Sequence, residues 1–144
     1  MTHDDILIPG SVANLGGGFD TLGVAVQLFL RVRIVEVRPD GLGQLTVRSS
    51  EPPVSGDNAV ERAYRRMVER QGGTAPSVVV DVVSEIPMAA GLGSSAAATA
   101  AGLRVFERVV GPVRDGVLLQ VATEIEGHGD NAAPALFGEI GRAH

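Results

Sequence analysis

The chain has 144 residues, 44% of them hydrophobic, and a net charge of −5, which suits one domain with a real core and is too little for two. It has no cysteine, so disulfides, thiolate metal sites and thiol nucleophiles are excluded, and all twelve of its basic side chains are arginine. The acidic balance argues against a nucleic-acid surface and the polar start "MTHDD" against a secretory signal. The longest uncharged stretch, 86–103, is too broken by proline, glycine, serine and threonine to span a membrane, so a cytoplasmic location is expected.

"DILIP" predicts a brief first strand, followed by the glycine-rich turn "ANLGGGFD". Leu28, Leu30, Val32 and Ile34 then alternate with Arg31 and Arg33, the period of a half-buried strand running to Arg38. "PDGLG" turns into "QLTVRS", and these two strands are expected to form a hairpin. From Asp57 to Gln71, Val60, Ala63, Tyr64, Met67 and Val68 recur at helical spacing opposite an arginine and glutamate face. Asp57 is the expected N-cap, and Gly72 and Gly73 end the helix.

The β-branched run "SVVVDVVS" predicts a strand from Ser77 to Ser84. Ser94 to Val110 reads as a helix whose alanine-rich first half is expected to pack closely on the sheet, Val113 to Glu124 as another, with a short helix after Asn131. Strands first, then strand and helix alternating, imply an α+β fold: a mixed sheet with helices packed on one face.

Between the valine strand and the alanine helix lies "PMAAGLGSSAAATAAG". A strand, a glycine turn and a helix start together present unpaired N–H groups and the positive end of a helix dipole, which suits a phosphate. This is not the P-loop, which ends in a lysine followed by serine or threonine, nor a protein-kinase site, because the chain has no lysine. Phosphates bound here would rely on backbone amides, serine hydroxyls and a metal ion. For an isolated Gly-Leu-Gly the plainer alternative is an alanine-rich helix whose glycines serve tight packing. On the cradle reading, a bulky β-branched residue in place of Gly93 is expected to abolish nucleotide binding and leave the fold largely intact.

The whole string "PMAAGLGSSAA" resembles the second signature of the GHMP small-molecule kinases. "PGSVANLGGGFDTLGVAV" is similar to the first signature of the homoserine kinases within that superfamily, and "EGHGDNAAPALFGE" to their Gly-His-Pro-Asp-Asn segment, in the same order along the chain. Gly17 and Gly129 depart from the family pattern, which has proline at both places.

The resemblance implies that Pro87, Ala90, Gly91, Leu92, Gly93, Ser94, Ser95, Ala96 and Ala97 surround the triphosphate of ATP, and that Ser95 and Glu124 hold Mg2+, with Glu126 as the other candidate. It further implies that Asn14, Asp20, His128 and Asn131 bind homoserine, Asp20 at the ammonium and Asn131 near the reacting hydroxyl as the catalytic residue, with no general base assigned. On the residues alone, Asn14 and Asp20 would be turn formers, Asn131 a helix N-cap, His128 a loop histidine, and Glu124 and Glu126 solvated acids.

The implied fold is the N-terminal domain of these kinases, like the second domain of ribosomal protein S5. The family carries a second domain with another glycine-rich signature and substrate-binding arginines, so 1–144 is expected to be the ATP-binding domain with its C-terminal partner absent. Such a domain is expected to be inactive by itself and prone to self-association, which leaves a homodimer open. The implied activity is ATP-dependent phosphorylation of L-homoserine to O-phospho-L-homoserine, a step of threonine biosynthesis. The alternatives are another small-molecule kinase of the superfamily or a non-catalytic nucleotide-binding remnant.

Overall fold

A computed structural model describes residues 5–13, 23–53, 58–87, 93–127 and 132–137. The elements in chain order are β1 (Ile6–Ala13), β2 (Gly23–Arg38), β3 (Leu45–Glu51), α1 (Ala59–Arg70), β4 (Ser77–Ser84), α2 (Ser94–Val109), α3 (Asp115–Glu126) and α4 (Ala132–Phe137). The four strands form one mixed sheet in the order β1-β2-β4-β3.

The alternation expected in β2 is realised. Leu30 and Val32 are buried, Leu28 and Ile34 pack against the core, and Arg31 and Arg33 stand on the open face with Asp5 at 3.4 and 3.2 Å. The alternation stops at a register irregularity between Ile34 and Glu36, beyond which Val37 is exposed.

The expected hairpin does not form. β4 lies between its two strands, antiparallel to β2 (Val32 opposite Val82) and parallel to β3 (Leu45 opposite Val78). "PDGLG" reverses the chain as expected, but its exit is tied to the start of β4, where Gly43 N donates to Ala75 O and Val78 N to Gln44 O, both at 2.8 Å. Val78, Val80 and Val82 are buried, and a strand this apolar belongs inside the sheet. Parallel pairing of β3 with β4 requires a crossover, which α1 supplies.

α1 buries Val60, Ala63, Tyr64, Met67 and Val68, the face its spacing predicted. Its N-cap is Asn58, whose side chain accepts from Glu61 N at 3.0 Å; Asp57 lies outside the described residues. The left-handed Gly73 ends the helix by donating its N–H to Val68 O.

The alanine face of α2 meets β1 and β2 but makes its tightest approach to α1. A Cβ at Gly102 would overlap the Val60 carbonyl and lie 2.7 Å from Ala63 Cβ. Beyond that crossing Tyr64 and Phe106 stack at 5.9 Å, tilted by 58°, and the Tyr64 hydroxyl donates to Pro76 O at 2.6 Å. Burial, with a lesser contribution from Asp40, pushes the Tyr64 phenol up to about 12.

α3 starts and ends two residues later than expected, stopping at the left-handed Gly127. No helix among the described residues is long and apolar enough to cross a membrane.

Candidate functional site

The site is built on the first turn of α2. Gly93, its N-cap, is left-handed at φ 74° and ψ 33° and has no side chain to accept from the amides that follow. The helical ladder begins with Ala97 N donating to Gly93 O at 2.9 Å. A Cβ at Gly93 would overlap Ser11 Oγ and stand 3.3 Å from the Ser11 N and O in β1.

Gly93 is therefore required twice, by its backbone conformation and by its contact with a buried strand residue. This corrects the expectation that a bulky replacement spares the fold, because a β-branched side chain would push α2 away from β1.

Ser95 and Thr99, one turn apart on α2, converge on a single carboxylate oxygen. Both hydroxyls donate to Glu126 Oε2, at 2.9 and 3.0 Å. Glu126 occupies the last turn of α3, which Gly127 closes.

The metal expectation paired Ser95 with Glu124, and here the geometry differs. Glu124 faces α1, with Arg66 at 2.9 Å and Arg70 at 3.8 Å, because residues two apart on a helix point to nearly opposite sides. Glu126 is the acid that meets Ser95. Gly127 was a signal for the helix end, since a glycine just past a helix makes Glu126 its last residue and so brings it within the helix. Thr99 carried the weaker signal of a hydroxyl four residues after Ser95.

Beside this turn lies an apolar pocket lined by Leu30, Val47, Val60, Val82 and Ile86, with Ser94 and Ser95 on one side and Asn58 on another. It lies between the sheet and the starts of α1 and α2, and its apolar lining adjoins a polar helix start.

Of the predicted nucleotide residues, Pro87, Gly93, Ser94, Ser95, Ala96 and Ala97 are described. Ala96 and Ala97 are buried in the core, where their small size serves packing. Ala90, Gly91 and Leu92 lie outside the described residues, as do Asn14, Asp20, His128 and Asn131. The segments containing these residues are bounded by elements whose described parts meet at α2: β1 through Ser11 at Gly93, and α3 through Glu126 at Ser95. Among the described residues no group of three or more histidine, cysteine, aspartate or glutamate side chains could hold a metal ion.

Comparison with known proteins identifies the family and the fold. The chain is similar to the homoserine kinases of Deinococcus radiodurans (42% identity over 138 residues, 92% of this chain and 43% of that one) and Bacillus pumilus (39% over 138 residues, 94% and 44%). It spans a little under half the length of those relatives.

Among solved structures it superimposes on the homoserine kinase from Cytophaga hutchinsonii with a TM-score of 0.74 at 29% identity, covering 96% of this chain and 48% of that one. The mevalonate kinase from Methanococcus jannaschii gives 0.72 at 15% identity, covering 94% of this chain and 51% of that one, a likeness of fold alone. The family described as the GHMP kinases N terminal domain matches residues 58–139, more than half of the chain, and the chain belongs to that family.

Proposed function

We propose that this domain supplies the ATP site of a kinase that phosphorylates the hydroxyl of L-homoserine. The observation that carries the reading is the turn at Gly93 to Ser95: a helix start without a side-chain cap, left-handed glycine at its entry, and a serine joined to the acid Glu126. The apolar pocket beside it suits a nucleotide base, leaving the triphosphate against the start of α2.

The donor set fits a magnesium ion. A serine hydroxyl and a carboxylate are hard oxygen ligands, and Glu126 already lies within hydrogen-bonding distance of Ser95, so we assign these two as its protein ligands and Glu124 to the α1 interface. When bound, such an ion neutralises charge on the phosphate oxygens during transfer. The remaining work belongs to the chain: amides of the first turn of α2 orient the phosphates, Thr99 holds the Glu126 carboxylate, and the pocket excludes water from one side of the nucleotide.

In the overall reaction the substrate oxygen forms a bond to the terminal phosphorus, loses its proton, and displaces ADP. Asn14, Asp20, His128 and Asn131 are our candidates for holding homoserine, on the resemblance of their segments to those of homoserine kinases. The supporting relatives continue well beyond the region matched here, so activity is proposed for the complete kinase.

The test offers the complete protein ATP and magnesium with homoserine, mevalonate, shikimate, threonine or galactose and measures ADP release. Homoserine should be used with the highest kcat/KM. Preference for another alcohol would replace the substrate assignment, and nucleotide binding without turnover on any of them would favour the non-catalytic alternative.

A further inference from the structure

The far half of α2 carries an ion pair that the phosphate site does not use. Arg104 and Glu107, with side chains 26% and 18% exposed, face each other one turn apart, Arg104 Nη1 donating to Glu107 Oε1. Each also reaches off the helix. Arg104 Nη2 donates to the main-chain oxygen of Leu136 in the last turn of α4, and Glu107 Oε2 accepts from Val113 N, at 3.1 Å, in the link that leads into α3.

The stretch from Val113 to Leu136 is thus fastened at both ends to one pair of side chains. Between those ends Glu126 is held from α2 by Ser95 and Thr99, while Glu124 and Gln120 are held from α1 by Arg66 and Arg70, so the attachments at the two ends and at Glu126 stand on α2. Apolar packing through Leu118, Val121, Ala122, Ala135 and Leu136 holds the same elements against the core, but α4 has six residues, too few to be helical without tertiary support, and packing alone does not fix where its end stands. An arginine suits the C-terminal carbonyls of α4 because its planar fork can donate to that oxygen and to the glutamate at once, and its charge complements the dipole.

We propose that Arg104 and Glu107 form a positioning pair which fixes where Glu126 stands relative to the start of α2, and thereby the alignment of the metal site with the phosphate cradle. The proposal rests on the reading of Glu126 as a ligand of nucleotide-bound magnesium. Neither residue touches the nucleotide site, so their influence passes through the placement of α3 and α4.

Arg104→Met, Arg104→Lys and Glu107→Gln in the 144-residue chain, compared with the parent, provide the test. Each is titrated with ATP with and without Mg2+, while amide hydrogen exchange is followed over 113–127 and 132–137. In Arg104→Met the gain in ATP affinity from Mg2+ should fall about tenfold, the low end of what losing a supporting partner does to a metal ligand. Metal-free ATP affinity should not change, exchange should quicken at Val113 and in the last turn of α4, and Arg104→Lys should recover part of the loss. Glu107→Gln, the milder change, should shift both readouts in the same direction even if Arg104→Met does not fold.

An unaltered magnesium effect with unaltered exchange would overturn the proposal. So would an equal loss with and without metal accompanied by faster exchange throughout the chain, which is the mark of general destabilisation. If the parent shows no magnesium effect, the Glu126 reading fails separately, and the pair's hold on α3 and α4 is decided by whether exchange quickens locally.

Discussion

Two helices begin beside the same apolar pocket, and they begin in opposite ways. α1 is satisfied from within: Asn58 caps it through its side chain, and Glu61 in its first turn supplies negative charge while accepting from Val47 N at 3.1 Å. α2 enters through a left-handed glycine, has no acid in its first turn and no side-chain cap, and meets a carboxylate only through the hydroxyls of Ser95 and Thr99. The first arrangement stabilises a fold. The second, without an acid or a side-chain cap at its start, is the end to which the proposed function assigns the triphosphate.

The strongest way to break this contrast is to force apart the two helices that display it. Gly102→Val would drive a side chain into the Val60 carbonyl and Ala63, and should cost about 3 kcal/mol of stability in a denaturant melt. A loss below the effect of an ordinary surface substitution would show that α1 and α2 do not approach as described.

Gly93→Ala should come next, at about 2 kcal/mol, from a left-handed non-glycine residue together with the contact on Ser11. It should also weaken ATP binding, measured by calorimetry. Stability unchanged with binding lost would restore the simpler view that Gly93 serves only the phosphate.

Asn58→Ala sharpens the comparison from the other side. Loss of the cap on α1 should lower stability by about 1 kcal/mol in the same melt, whereas α2 has no equivalent side chain to lose. An effect of the same small size belongs to Tyr64. Tyr64→Phe removes the hydrogen bond to Pro76 O and should cost about 1 kcal/mol at neutral pH.

The pH dependence of Tyr64 follows from its raised ionisation. The folded phenol is held neutral up to about 12 while the unfolded side chain ionises from 10.0, so its contribution is intact below that lower value and drains away between the two. Tyr64 is the sole tyrosine and the chain has no tryptophan, so phenolate absorbance reads this titration without interference. A folded-state midpoint at the ordinary tyrosine value would contradict the burial.

Much of the architecture was legible because it rests on local periodicity and composition. The alternation of Leu28 to Ile34 and the buried face of α1 follow from which residues recur at period 2 or 3.6, and the strand from Ser77 to Ser84 from its β-branched run. Sheet order was not legible, because "PDGLG" specifies a reversal and not a neighbour, and β4 takes the central place through pairings that no local signal encodes. The candidate site divided in the same way. Gly93 and Ser95, on which the proposed cradle rests, were picked out by the glycine turn before a helix, while the contact of Ser95 with Glu126 depended on a helix end that the expected boundary placed two residues short. The clamp at Arg104 and Glu107 had no sequence signal beyond an ordinary charge pair one turn apart, since what matters is that Leu136 O and Val113 N come within reach.

The most direct test of the account sets two acids of one helix against each other. ATP affinity is measured as a function of Mg2+ for Glu126→Gln and Glu124→Gln. Glu126→Gln should lose at least about tenfold of the magnesium-dependent gain, as expected when a charged metal ligand becomes neutral, while Glu124→Gln, which loosens only an exposed pairing with Arg66 and Arg70, should keep it. The reverse result, with Glu124 required and Glu126 dispensable, would contradict the assignment of the site to the junction of Ser95 and the last turn of α3.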